Sequence, residues 1–208
     1  MIRIGILGDI GSGKTYVAKS FGYPVFNADE EVARLYNKDR EIYKKLRKKL
    51  PKYFNSFPVN KKNVSQAILN NKKNLKKIIK VVHSGVRKKM YLFLKKNKSK
   101  KFVILDIPLL LENKINKKND VLIFVKANKT DIDKRLKRRK NFNPHLIKKF
   151  REMQLSLDYK RRKAQFIIEN KFTKKSVKVS IKLFKKNLQN ERSSIRYWNN
   201  RPFCSRWS

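Results

Sequence analysis

Gly8-Asp9-Ile10-Gly11-Ser12-Gly13-Lys14-Thr15 follows the spacing G-x-x-x-x-G-K-[ST], the pattern of a loop that cradles phosphate. Each residue type has a task in that chemistry. The glycines let the backbone turn tightly enough to aim its N–H groups at anionic oxygens, and a following helix adds the positive end of its dipole. Lys14 supplies a cation for β- and γ-phosphates, and the Thr15 hydroxyl suits Mg²⁺. The nucleotide-binding segment read this way runs from Asp9 to Tyr16 and implies ATP and Mg²⁺ as cofactors. The 208 residues include only six glycines, and Gly5, Gly8, Gly11 and Gly13 are four of them. Such clustering in a glycine-poor chain points to backbone geometry rather than to composition.

Other residues are placed to act with the loop. Asp and Glu number only 15, so a carboxylate at the end of an apolar run stands out. Asp29 follows Pro24-Val25-Phe26-Asn27-Ala28, which in an open α/β sheet lies near the loop. It is suited either to orient a substrate hydroxyl or to cap a helix starting at Glu30. Asp106 closes Phe102-Val103-Ile104-Leu105 and fits either a Mg²⁺-bound water or a turn before Pro108. Arg135 and Arg139, four apart, are expected to share a helix face, as a solvated basic surface or as cations closing over a transferring phosphoryl group. His83 reads as a packed helix residue, with no second histidine placed to share a metal.

The elements that position these residues are legible as apolar runs. Ile2–Leu7, Pro24–Asn27, Phe102–Ile107, Val121–Lys126 and Phe166–Ile168 predict five strands separated by helices, and their continuous apolar character fits parallel strands covered on both faces. The fold class expected is α/β, a parallel sheet flanked by helices. Residues 39–99 break the rhythm with a purely helical stretch carrying apolar residues at spacings near 3.6, read as a helical insertion. Residues 131–163 are dense in cations, and Asn143-Pro144 predicts a fresh helix start, so this stretch reads as a lid. The core is then 1–38, 100–130 and 164–190, forming one unit over 1–190, and 191–208 reads as a C-terminal appendage.

Composition bounds the rest. The chain carries 56 Lys and Arg and a formal net charge of +41. Lysine is spread over nearly every helix together with abundant Asn, Ile and Phe, the profile of a strongly A+T-biased coding sequence. It therefore reads as solvated background rather than a specific nucleic-acid surface, with a basic nucleic-acid-binding P-loop protein as the rival class. No run approaches the roughly eighteen apolar residues of a membrane span. A strand starting at residue 2 leaves no room for a signal peptide, and the single cysteine, Cys204, excludes an internal disulfide framework. The expectation is a cytoplasmic protein without membrane partners. Oligomeric state is left open, a monomer among the options.

Taken together, the motifs resemble those of the dephospho-coenzyme A kinase family over about residues 1 to 188. The family's strand and I-G-S-G-K-[ST] loop correspond to Ile10–Thr15, its V-I-D-A-D-x-x-A-R segment to Val25–Arg34, and its P-L-L-x-E-N segment to Pro108–Asn113. His83, Arg135, Arg139, Gln154 and the stretch Ala164–Asn170 match further positions. The resemblance implies a P-loop core, a helical domain for the coenzyme moiety and a lid. It implies ATP-dependent phosphorylation of the ribose 3′-hydroxyl of dephospho-coenzyme A, the last step of coenzyme A synthesis. Asp29 takes the position of the catalytic aspartate, beside Lys14, Arg135 and Arg139. His83, Pro108, Leu109, Glu112, Asn113 and Gln154 join Asp29 in binding substrate, and Thr15 and Asp106 hold the metal. Four residues depart from the pattern: Asp9 and Ser84 stand where glycine and proline are usual, and Asn27 and Gln165 each stand where aspartate is. Another nucleoside or nucleotide kinase of the same fold is the nearest alternative.

Overall fold

Strands and helices alternate along the chain as β1 (Ile2–Gly8), α1 (Lys14–Ser20), β2 (Val25–Asn27), α2 (Ala28–Lys38), α3 (Arg40–Lys49), α4 (Lys61–Asn70) and α5 (Lys72–Lys96). There follow β3 (Phe102–Asp106), β4 (Val121–Lys126), α6 (Lys129–Lys137), α7 (Pro144–Arg151), α8 (Leu157–Lys163), β5 (Phe166–Glu169) and α9 (Lys174–Asn190). The computed structural model describes residues 1–140 and 142–190. The appendage expected at 191–208 lies outside the described residues.

The strands form one sheet in the order β2-β3-β1-β4-β5. β1 pairs in parallel with β3 on one side and β4 on the other, Ile4 standing opposite Ile104 and Val121, and β4 pairs in parallel with β5. The expected α/β class is what is found, with all five strands present. β1 is central because it is covered on both faces: its residues from Arg3 to Gly8 are all buried, and apart from Arg3 none of them carries a polar side chain. This order brings the carboxyl ends of β1, β3 and β4 to one edge, where ligands bind in open α/β sheets.

Two compact units emerge. Among the described residues, the first comprises Met1–Val25, Lys100–Phe142 and the chain from 154 to 190. Its core joins Ile4, Ile6, Ile104, Ile123, Val125 and Ile168 of the sheet to Val17, Ala18 and Phe21 beside α1 and to Val177, Ile181 and Phe184 of α9. Each such buried Val, Ile or Phe side chain contributes about 1.5–3 kcal/mol. The Phe184 ring meets Phe21 and Phe166 edge-on, with centroids 5.3 and 4.8 Å apart. At the opposite end of β1 the buried Arg3 donates to the Ile115 carbonyl and pairs with Asp120 at 2.8 Å, tying the loop before β4 to the sheet.

The second unit comprises Phe26–Ser99 with Asn143–Met153. Asparagine and aspartate start its helices. Asn27, Asp39, Asn60, Asn71 and Asn143 each accept a hydrogen bond from an N–H of the first turn they cap, at α2, α3, α4, α5 and α7. Pro144 occupies the first turn of α7, the helix start read from Asn143-Pro144. Lys149 of α7 donates to the carbonyls of Ile68 and Leu69, filling orphan acceptors at the end of α4. The expectation of a purely helical 39–99 is corrected here: Leu50 to Asn60 is not helical. Leu50 leaves helical geometry as Pro51 follows it, and a proline cannot donate to a continuing helix. Leu50, Phe54 and Val59 are nevertheless buried, so this connection feeds the core as a helix would.

Candidate active site

Gly13 ends the phosphate-binding loop at the N-cap of α1 with φ 87°, a left-handed conformation, and no side chain caps the helix. Its missing side chain is needed twice over, because a Cβ there would also collide with Asn170 Nδ2. Asn170 is the loop's clamp. It is 2 % exposed and donates through Nδ2 to the Ser12 carbonyl at 2.9 Å. Its Oδ1 accepts from the Phe172 N–H, and its own N–H donates to Lys126 O at the end of β4. The sequence places Asn170 at the end of the matched stretch Ala164–Asn170 with no role attached. Asn170→Ala removes one clamp and leaves the Ser12 carbonyl with a buried partner missing, so nucleotide affinity is expected to fall about tenfold, as a lost buried hydrogen bond of about 1–2 kcal/mol requires. Calorimetric titration with an ATP analogue measures it; unchanged affinity in a folded variant would show that the loop holds its shape alone.

Lys14 opens α1 and donates from Nζ to two carbonyls of its own loop, Gly8 O at 3.2 Å and Asp9 O at 2.7 Å. This holds the ammonium over the turn that the loop's N–H groups share. The Asp9 carboxylate accepts from the Ile10 N–H at 2.6 Å, so the departure at that position is folded into the loop. Thr15 Oγ1 donates to Asp106 Oδ2 at 2.6 Å. Asp106 is 3 % exposed at the carboxyl end of β3, next to β1 in the sheet, which is how residues 91 positions apart meet. A hydroxyl and one carboxylate are hard oxygen donors of the kind Mg²⁺ takes alongside substrate phosphates and water. Among the described residues no group of three His, Cys, Asp or Glu could hold a metal by itself, so the donor set fits a cation brought with phosphate rather than an all-protein site. Ile10, Gly11 and the buried Ser12 complete the loop, and Tyr16 is exposed on α1.

Arg135 and Arg139 are separated by the end of a helix. α6 stops at Lys137, with Arg138 as its C-cap, so the shared helix face expected for them is not found. Arg135 lies on the helix with its guanidinium 4.5 Å from the Phe172 ring centroid, while Arg139 follows the cap in a turn. Near Arg135's helix a cavity of about 380 Å³ opens at the ends of β4 and β5, lined by Lys126, Ala127, Asn128, Asp131, Glu169, Asn170 and Lys171. No expectation from sequence pointed to it, since its lining comes from two loops far apart in the chain.

Pro108, Leu109, Glu112 and Asn113 form consecutive turns just after β3. Leu110 between them is fully buried and sits against β1, where a Cβ on Gly5 would be 2.5 Å from its Cδ2. Asn113 Nδ2 closes the turn on Leu109 O at 3.0 Å. Glu112 accepts from the Leu155 N–H and pairs with Lys160 at 2.8 Å, and Lys160 also donates to Gln154 Oε1. Two residues expected to bind substrate are thus joined through a lysine that was not singled out. Gln165, another departure, extends the β4–β5 ladder: its Oε1 accepts from Leu122 N–H and its own N–H donates to Leu122 O.

Asp29 and His83 belong to the second unit. Asp29 is exposed in the first turn of α2, with Glu30 and Glu31. The capping alternative for Asp29 is corrected: α2 begins at Ala28, and it is Asn27 whose side chain accepts from the Glu30 N–H. His83 is half-buried on α5; burial, then the charge of Arg87, holds its pKa below the ordinary 6.5 and leaves it neutral at pH 7. α5 runs unbroken past it because residue 84 is serine, whose hydroxyl donates back to Val81 O.

Comparison with known proteins gives one answer. The family model described as dephospho-CoA kinase matches residues 2–175. The dephospho-CoA kinase of Wolbachia pipientis wMel is 33 % identical over 184 residues, covering 86 % of this chain and 94 % of that protein. That of Bartonella henselae is 34 % identical over 171 residues, covering 80 % and 87 %. Among solved structures, TT1252 from Thermus thermophilus superposes with a TM-score of 0.69 at 25 % identity, covering 92 % of this chain and 97 % of its own. The dephospho-CoA kinase of Campylobacter jejuni shares the fold, with a TM-score of 0.58 at 19 % identity over 89 % and 96 %. With a family model matching most of its length around a phosphate loop backed by Thr15 and Asp106, the chain belongs to the dephospho-CoA kinase family.

Proposed function

We infer that the chain transfers the γ-phosphoryl group of ATP to the ribose 3′-hydroxyl of dephospho-coenzyme A, giving coenzyme A and ADP. The observation that carries the reading is the Thr15–Asp106 hydrogen bond beneath the phosphate loop, in a chain of this family. When bound, Mg-ATP supplies the transferable group and a divalent cation that draws negative charge from it. The chain's own contribution is positioning and charge neutralisation. The loop from Asp9 to Tyr16 binds the phosphates through its N–H groups and Lys14. Thr15 and Asp106 would hold the cation. Asp29 accepts the proton of the substrate hydroxyl and orients its oxygen, while Arg135 and Arg139 offset charge on the phosphoryl oxygens. The cavity lined by Lys126 to Asp131 and Glu169 to Lys171 suits the nucleotide's base. His83, Pro108, Leu109, Glu112, Asn113 and Gln154 serve the acceptor, and a neutral His83 serves it as a hydrogen-bonding group rather than a charge.

No described helix is long and apolar enough to cross a membrane. In this reading the protein works in the cytoplasm on a small molecule, and its exposed lysines are solvated background without a nucleic-acid partner. An ADP-release assay across dephospho-coenzyme A, AMP, adenosine and pantothenate tests the assignment. Dephospho-coenzyme A is expected to be turned over at least about a hundredfold more efficiently than the others, because the acceptor's distal parts contribute binding energy to the reaction. Turnover of AMP or adenosine with none of dephospho-coenzyme A would replace the reading with a nucleotide or nucleoside kinase.

A further inference from the structure

Lysines in this chain are exposed or partly exposed at every described position but one. Lys160 is 1 % exposed and is the only buried lysine among the described residues. It sits on α8, and its ammonium is 2.8 Å from Glu112 Oε1 and 2.8 Å from Gln154 Oε1. Glu112 Oε1 also accepts the Leu155 N–H at 3.0 Å, while Oε2 is buried without a hydrogen-bond partner. Both bonds of the carboxylate therefore converge on one oxygen, and Lys160 is the cation that compensates its charge. Burying a lysine costs several kcal/mol in desolvation, and an apolar pair of the same size is often as stable. Stability alone is a poor account of why a charge is buried here.

What the pair does is fix a segment. Pro108–Asn113 is a run of turns rather than a strand or helix, so it has no ladder to hold it. Leu110 anchors it on β1 at Gly5, and the Glu112–Lys160 pair anchors it at the other end to α8 and to the start of that helix's approach at Gln154 and Leu155. The segment begins two residues after Asp106, whose place beside Thr15 is set by β3. We propose that Lys160 is a positioning residue for the acceptor substrate: with Glu112 it forms a buried latch that holds Pro108–Asn113 in its binding conformation. The proposal rests on the assignment of that segment to dephospho-coenzyme A. Glu112 then acts through the segment, since its exposed share is small and Oε1 is committed.

The test is a double-mutant cycle on the full chain with K160M, E112Q and the pair. For each, the KM and kcat for dephospho-coenzyme A, the affinity for an ATP analogue and the melting temperature are measured. K160M is expected to raise KM for dephospho-coenzyme A about tenfold or more, as loosening a positioning segment does, with kcat and analogue affinity within about twofold. E112Q is expected to do the same, and the double variant to match the single ones in KM, because a latch can be opened only once. The double variant removes both buried charges, so it carries the test should K160M fail to fold. Multiplying KM effects would mean that Glu112 touches substrate independently of Lys160 and would overturn the proposal. So would loss of analogue affinity in step with KM, an unchanged KM in K160M, or failure of the double variant to fold. Failure of the underlying reading looks different: the unmodified protein itself would not turn over dephospho-coenzyme A.

Discussion

Lys14→Ala is expected to lower kcat/KM by at least about two orders of magnitude, the usual cost of removing a direct donor to charge that develops in the transition state. The ammonium already stands over the loop, bonded to the carbonyls of Gly8 and Asp9, so it needs only a short swing to reach a phosphate oxygen. It is half-exposed and both of those carbonyls lie in its own loop, so their loss as partners should change the melting temperature little. Steady-state kinetics beside thermal unfolding of the same preparation gives both readouts. A folded variant with full kcat/KM would remove Lys14 from the mechanism, and a large drop in melting temperature would mean that the lysine holds the loop together.

Asp29→Asn is the second large effect. Loss of a general base typically costs about 10²–10⁴ in rate, and kcat should fall within that range while affinity for an ATP analogue is kept. Asn27, not Asp29, caps α2, so the substitution leaves the cap intact, and its effect through the helix dipole is about 0.3–1 kcal/mol. Glu30 and Glu31 remain there to favour the helix N-terminus. Turnover retained in the asparagine variant would leave Asp29 a helix-end charge and require another group to accept the hydroxyl proton.

How much of this was legible depended on how local each feature is. The phosphate loop is eight consecutive residues whose chemistry lies in their own backbone, and it was readable outright. The five strands were readable because each is mostly a continuous run of apolar residues, with polar ones such as Arg3, Asn27, Asp106, Lys126 and Glu169 at or near its ends. The Leu50–Asn60 connection was misread because the apolar spacing of Ile42, Leu46 and Leu50 resumes at Val64, Ile68 and Leu69, so the stretch between them passed for helix although Pro51 ends one there. Arg135 and Arg139 were assigned one face from their spacing of four, but spacing says nothing of where a helix stops, and α6 stops between them. Asp29 was weighed as a cap when the better-placed Asn27 lay two residues earlier, at a position noted only as a departure. Lys160 was invisible for a different reason. In a chain with 56 Lys and Arg, nothing in the residue type marks the one lysine whose charge is buried, because that depends on a partner 48 positions away.

The bond from Asn170 to the Ser12 carbonyl spans 158 positions of a chain made from its amino end. The phosphate motif is thus among the first segments synthesised and among the last to acquire its working shape, since β5 must add to the edge of the sheet before Asn170 arrives. Contacts of such long sequence separation are the slow ones to form. A chain halted before residue 166 would carry the whole motif without the bond that clamps it, and would bind nucleotide more weakly, in the direction expected for Asn170→Ala. Tight nucleotide binding thus reports the arrival of β5 and Asn170 as well as the presence of the loop.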